Sequence, residues 1–202
     1  MYSVVVLIIA FLSFLWLDLP AAYFFDKFSL LRSICRYYTN LSLPELHLIL
    51  SCSGFVISRF SERTRDYSML MFQYALSIGF IMFVCGVLKL TVARARPGLL
   101  INEGFSGFAF GNFGSGFRSF PSSHMAVACA LMILAMMFLG DKWKWPMVGF
   151  VIMIALSRLI LQKHFISDLL VGALIGEGVT TIVILLTNKH EALINQLFEV
   201  IR

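Results

Sequence analysis

Residues 2–17 are apolar at every position but Ser3 and Ser13, and the run closes at Asp18-Leu19-Pro20. Five more runs of this kind follow, at residues 42–59, 67–88, 121–140, 146–161 and 165–187. A helix that crosses the hydrocarbon core needs about 20 mostly apolar residues, and each run comes close to that length. Residues 42–59 form a short candidate; Ser42-Leu43-Pro44-Glu45 resembles a capping box with proline in the first turn. The pattern predicts an all-α protein, an integral membrane bundle of six transmembrane helices. It forms one domain over residues 1–202, with no internal repeat. Residues 188–202 alternate charge with Leu, Ile and Phe, as an amphipathic helix on a membrane surface does.

Composition agrees with a membrane chain. Apolar residues make up 59% of the 202 and charged residues 13%, against roughly 45–50% and 25% in soluble domains. Too few charges remain to cover a water-facing surface, which excludes a soluble globular protein. The net charge of +5 does not indicate a nucleic-acid partner, because the basic residues lie between apolar runs rather than along one face. Cys52, Cys85 and Cys129 fall inside apolar runs and Cys35 in a connection, without a C-x-x-C pair, so all four read as buried thiols. The N-terminus lacks a basic n-region and a small-residue cleavage site, and is expected to be a retained span.

Six crossings put the polar segments 61–66 and 141–145 on one side with both termini. Residues 18–41, 89–120 and the link around Lys163 lie on the other. The second side carries nine Lys and Arg and the first seven, so the positive-inside rule does not orient the chain if the second side binds an anion. Residues 104–120 hold five Gly and six Phe. This loop is either a mobile segment that dips aromatic rings into the interface or a lip over a neighbouring site. It lacks the Gly-Lys-Ser/Thr of a phosphate-binding loop.

Three charged clusters sit where the later spans meet the second side. In Lys89 to Pro97, Lys89 and Arg96 are two helical turns apart and share a face if the helix persists, while Pro97 pushes Arg96 out of helix. Pro121-Ser122-Ser123-His124 opens a span, and free amides at a helix start attract an anion. His124 lies one turn inside, able to give a proton. Ser157-Arg158 is followed by His164 and Asp168, whose spacing of four lets the carboxylate fix one imidazole nitrogen and free the other. Three cations and several amides suit a phosphate, and no acidic constellation for Mg²⁺ accompanies them. The combination reads as metal-free phosphoryl transfer through a phosphohistidine, with no cofactor.

The order Lys-x6-Arg-Pro, Pro-Ser-x-His, Ser-Arg-x5-His-x3-Asp closely resembles the three motifs of the type-2 phosphatidic acid phosphatase superfamily. They match here at Lys89/Arg96/Pro97, Pro121/Ser122/His124 and Ser157/Arg158/His164/Asp168, a catalytic core of residues 89–168. Ser123 stands where the family usually has Gly. The resemblance implies a membrane lipid phosphatase in which His164 attacks phosphorus, Asp168 orients it, and His124 protonates the leaving oxygen and later activates water. Lys89, Arg96, Arg158, Ser122 and Ser123 would hold the phosphoryl oxygens. It also implies a bilayer setting, a lipid phosphate as partner and, as in bacterial relatives, an inner-membrane location with a periplasmic site. Substrates of such relatives include undecaprenyl pyrophosphate, phosphatidylglycerophosphate, phosphatidic acid and lipid A phosphates. A phosphotransferase using the same site is the near alternative. A small-solute transporter is the distant one, although its charges would lie near the midplane. Arg94 and Arg118 would contact a second phosphate or sugar, or snorkel. Glu177, beside Gly172-x3-Gly176, would be a helix-packing partner.

Overall fold

The computed structural model describes residues 2–200. They form a helical bundle: α1 (Tyr2–Trp16), α2 (Asp18–Asp26), α3 (Arg32–Asn40), α4 (Pro44–Phe60), α5 (Ser68–Val92), α6 (Pro97–Glu103), α7 (Ser123–Leu139), α8 (Lys144–Ile160), α9 (Ile166–Lys189) and α10 (Glu191–Val200). α1 and α2 meet at a bend of 67°. Pro20 is accommodated because it stands in the first turn of α2, where its missing N–H has no helical partner to lose. Pro44 likewise opens α4, after Leu43 in extended backbone.

Four stretches are long and apolar enough to cross a bilayer: Ser29–Phe60, Glu62–Val92, Asp141–Ile160 and Ile166–Lys189. The bent pair α1–α2 makes a fifth if it is one span. α7 is apolar but has 17 residues, about 25 Å of helix against a hydrocarbon core of about 30 Å. Length and composition thus support four or five crossings rather than the six expected. The outward faces suit lipid: α1 buries Ala10 and Ser13, while Leu7, Ile8 and Phe11 are exposed.

α9 is the central element, in contact with α1, α5 and α7. Ile78, Ile81 and Cys85 of α5 pack with Ala126, Val127 and Ala130 of α7, against Ile175 and Val179 of α9. Small residues bring α7 and α9 together: a Cβ on Gly172 would lie 2.5 Å from the Ser122 carbonyl oxygen, and one on Gly176 would collide with the Ala126 carbonyl. Glu177 does not join this seam. Its side chain is exposed beside an apolar groove with Cys129 and Met132.

Side-chain pairs fix the antiparallel ends. At one end Gln73 of α5 donates to Thr187 and Asn188 at 2.9 Å each. There α10 docks through Phe198, whose ring lies 5.2 Å from that of Phe55 and 5.3 Å from that of Phe72. The Arg59 guanidinium covers the Phe198 ring at 4.9 Å. The tail helix is therefore seated on the bundle through Phe198; residues 201–202 lie outside the described residues. At the other end the C-termini of α5 and α8 meet the N-termini of α7 and α9, and the three motifs come together there.

Candidate active site

α5 stops at Val92 because Ala93 turns left-handed (φ 43) and returns its N–H to the Lys89 carbonyl. The helix thus does not persist to Arg96. Arg96 lies in extended backbone (φ −78, ψ 153) ahead of Pro97, the conformation a following proline imposes. Residues 93–96 are stitched to the Phe/Gly-rich loop: Ala95 N–H donates to Gly107 O and Arg96 N–H to Gly116 O, both at 2.8 Å. The loop is a wall of the site, fixed along this segment by main-chain bonds. Arg118 is exposed and donates to the Phe113 carbonyl of its own loop at 2.9 Å.

Lys89, Arg96 and Arg158 bear on both His124 and His164 with their charges, so all five side chains converge. Lys89 Nζ donates to Ser123 Oγ. The Ser123 hydroxyl thereby holds the ammonium, and two of the three Lys89 donors stay available for an anion. Ser122 differs from its expected role. It is fully buried, its N–H goes to the Asp168 carbonyl at 3.2 Å, and its Oγ accepts from Met125 N–H as the N-cap of α7. Ser122 therefore builds the helix start, and the amides left to face the site are those of Ser123 and His124.

Arg158 is 7% exposed. Its Nη1 donates to Thr39 Oγ1 at 2.9 Å, and its Nη2 lies 3.4 Å from His164 Nε2. His164 is 2% exposed and lies in the α8–α9 connection, one residue ahead of the α9 N-cap. Its Nδ1 is 2.5 Å from the Ser119 carbonyl. A carbonyl only accepts, so Nδ1 carries the proton and Nε2 is left as a lone pair beside Arg158. Burial, followed by the charges of Arg158 and Lys89, holds the imidazole well below its ordinary pKa. The ring is therefore held in its neutral form with Nε2 unprotonated.

Asp168 does not hydrogen-bond His164 as the spacing of four suggested. Its Oδ2 lies 3.9 Å from Nδ1, because His164 precedes the helix on which Asp168 sits. The carboxylate instead accepts from Ser119 Oγ at 2.5 Å and from Phe165 N–H at 2.9 Å. Asp168 thus holds Ser119, and Ser119 sets the ring. Nothing in the local sequence marks Ser119.

Behind Asp168 lies a buried network. Arg94 Nη1 donates to Asp168 at 2.5 Å and to Ser167 Oγ at 2.7 Å, and its Nη2 to Asp18 at 2.7 Å. Asp18 also accepts from Ser167 N–H at 3.0 Å. The guanidinium is packed over the rings of Phe165 and Phe14, at 4.4 and 5.0 Å. Arg94 is buried with its guanidinium committed to Asp18, Ser167 and Asp168, so it does not snorkel and its geometry is that of a positioning residue. The signal in Asp18 was a carboxylate closing an apolar run. Its partner could not be read because Arg94 lies 76 positions away.

A cavity of about 590 Å³ opens on Arg96 and Arg158. Among the described residues no group of three His, Cys, Asp or Glu side chains is placed to hold a metal ion.

Fold and site together define an integral membrane helical bundle with a cationic, histidine-containing centre at one end. The chain belongs to the PAP2 superfamily, whose family model matches residues 70–192. The crystal structure of Aquifex aeolicus LpxE is similar in fold, with a TM-score of 0.62 and 21% identity over 83% of this chain and 94% of that chain. No curated protein matches the sequence.

Proposed function

We propose that the protein is a metal-independent lipid phosphate phosphatase with six crossings, α1–α2 as one bent span and α7 as a short one. It cleaves a phosphomonoester or diphosphate head group through a phosphohistidine. The observation that carries this reading is the His164 lone pair, fixed by the Ser119 carbonyl and set beside Arg158. Lys89, Arg96, Arg158 and the Ser123–His124 amides hold the phosphoryl oxygens and neutralise charge as it develops. His164 Nε2 attacks phosphorus, the bond from phosphorus to the leaving oxygen breaks, and His124 gives that oxygen a proton. Water then attacks the phosphohistidine. His124 takes its proton, the P–N bond breaks, and His164 returns neutral with inorganic phosphate as product.

Purified protein in detergent with excess EDTA should release phosphate from lipid phosphates. A good leaving group such as p-nitrophenyl phosphate needs no proton, so His124→Ala should accumulate acid-labile phosphate on His164, seen by rapid quench and mass spectrometry. Its hydrolysis should slow by roughly 10²–10⁴-fold, the worth of a general base. His164→Ala should form no phosphoenzyme. Label on His124 in that variant would reverse the two roles, and activity that needs added Mg²⁺ would overturn the metal-free mechanism.

A further inference from the structure

The cavity beside Arg158 carries more positive charge than one phosphate requires. Besides Arg96 and Arg158, it is lined by Arg32 and Arg36 from α3 and by Lys163 from the α8–α9 connection. Asp26 also lines it, and pairs with Arg32 at 2.5 Å. Arg32 is further pinned by its Nε bond to the Ile160 carbonyl at 3.2 Å. Arg36 and Lys163 have no ion-pair partner among the described residues. Arg36 stands one turn from Thr39, the anchor of Arg158, so α3 turns both toward the site. Lys163 directly precedes His164. Burial, and then repulsion from Arg96, Arg158 and Arg36, lowers its pKa. Two buried donors of this wall lack partners, Arg96 Nε and Arg158 Nε; the Gln162 Oε1 acceptor also lacks one but cannot take an anion. Gln162 is 6% exposed and lines the cavity. Like charges gathered without an anion are unfavourable, and a ligand that supplies one removes the cost.

We propose that Arg36 and Lys163 form a second anion subsite, which takes a further negative group on the head group whose scissile phosphate sits at His164. The inference rests on the phosphatase reading. Lys89, Arg96 and Arg158 serve the phosphate under attack, and the added pair selects substrates that carry a second charge nearby. The cavity is large enough for a head group beyond a single phosphate. Two sources fit this chemistry: the second phosphate of a diphosphate, or a separate phosphate or carboxylate about one glycerol unit away.

The test compares kcat/KM on dodecyl phosphate, dodecyl diphosphate and a dodecyl glycerol monophosphate bearing a carboxylate, for wild type and Arg36→Gln/Lys163→Gln. The ratio of kcat/KM on a substrate with two anionic groups to that on dodecyl phosphate should fall by about tenfold or more in the variant, as expected for losing charged hydrogen bonds. The substrate that shows the fall identifies the source. Calorimetry with inorganic diphosphate and orthophosphate gives a readout without turnover: wild type should favour the diphosphate, and the variant should lose that margin. A ratio within about twofold of wild type on both substrates with two anionic groups, with the binding margin kept in the variant, would overturn the subsite. A wild type that binds diphosphate by this margin yet releases no phosphate from any substrate would overturn the phosphatase reading alone.

Discussion

Arg94 shows how much of this site depends on a residue committed to other side chains. Its side chain is 6% exposed, and it faces Asp18 and Asp168, which are 1% and 0% exposed. Two buried carboxylates and one guanidinium are tolerable only while every partner is present, since removing one leaves uncompensated charge in a low dielectric. Arg94→Met should therefore lose about 3–5 kcal/mol of stability, the usual cost of breaking a buried pair. Arg94→Lys keeps the charge but not the fork that spans both carboxylates, and should lose less. Denaturation midpoints in detergent provide the comparison. An unaltered midpoint for Arg94→Met would show that the network bears no load. Asp168 acts one step further in, through Ser119, so its effect on the chemistry is indirect: it fixes the carbonyl that selects the His164 tautomer.

At the scale of helices, the α7–α9 seam transmits packing to the site. Gly172 lies against the carbonyl of Ser122, and Ser122 caps the helix start that presents Ser123 and His124. Gly172→Ala must displace that backbone. It should cost about 1–3 kcal/mol as overpacking and lower kcat as well. Gly178→Ala on the same helix, where a Cβ meets nothing within 4 Å, should leave both close to wild type. Equal behaviour of the two variants in unfolding and phosphate-release assays would disprove a role for the seam. The motifs themselves were legible in the sequence because each is local: Lys89, Arg96, His124, Arg158 and His164 stand within a few residues of a proline or a span end. The shared helical face of Lys89 and Arg96 depended on the helix persisting, and the left-handed Ala93 that ends it has no sequence signature. The Asp18 contact to Ser167 spans 149 positions and leaves no periodic trace. α3 was read as connection, since its polar residues obscure a face that buries Cys35 and Thr39.

For the whole molecule, the same placement of charge explains why counting cations does not orient the chain. The site side carries nine Lys and Arg and the other side seven. Lys89, Arg96 and Arg158 gather around the two histidines, and Arg94 pairs with Asp18 and Asp168. Arg36 and Lys163 belong to the proposed subsite. Only Lys27, Arg32 and Arg118 remain to report topology on that side, and Arg32 is paired with Asp26. On the opposite side Arg59 is spent on Phe198, which leaves Arg63, Arg65, Lys142, Lys144, Lys189 and Arg202. On the proposed assignment of charges, the side without the site is expected to be the cytoplasmic one, and the site is expected to face outward. A membrane-impermeant maleimide on intact bacterial spheroplasts tests this with the exposed positions Ser106 and Lys142. Ser106→Cys should label above the background of the parent protein without permeabilisation, and Lys142→Cys only after it. The reverse pattern would place the site in the cytoplasm. Labelling of both from outside would refute the arrangement in which the 104–120 loop and the α7–α8 connection lie on opposite faces.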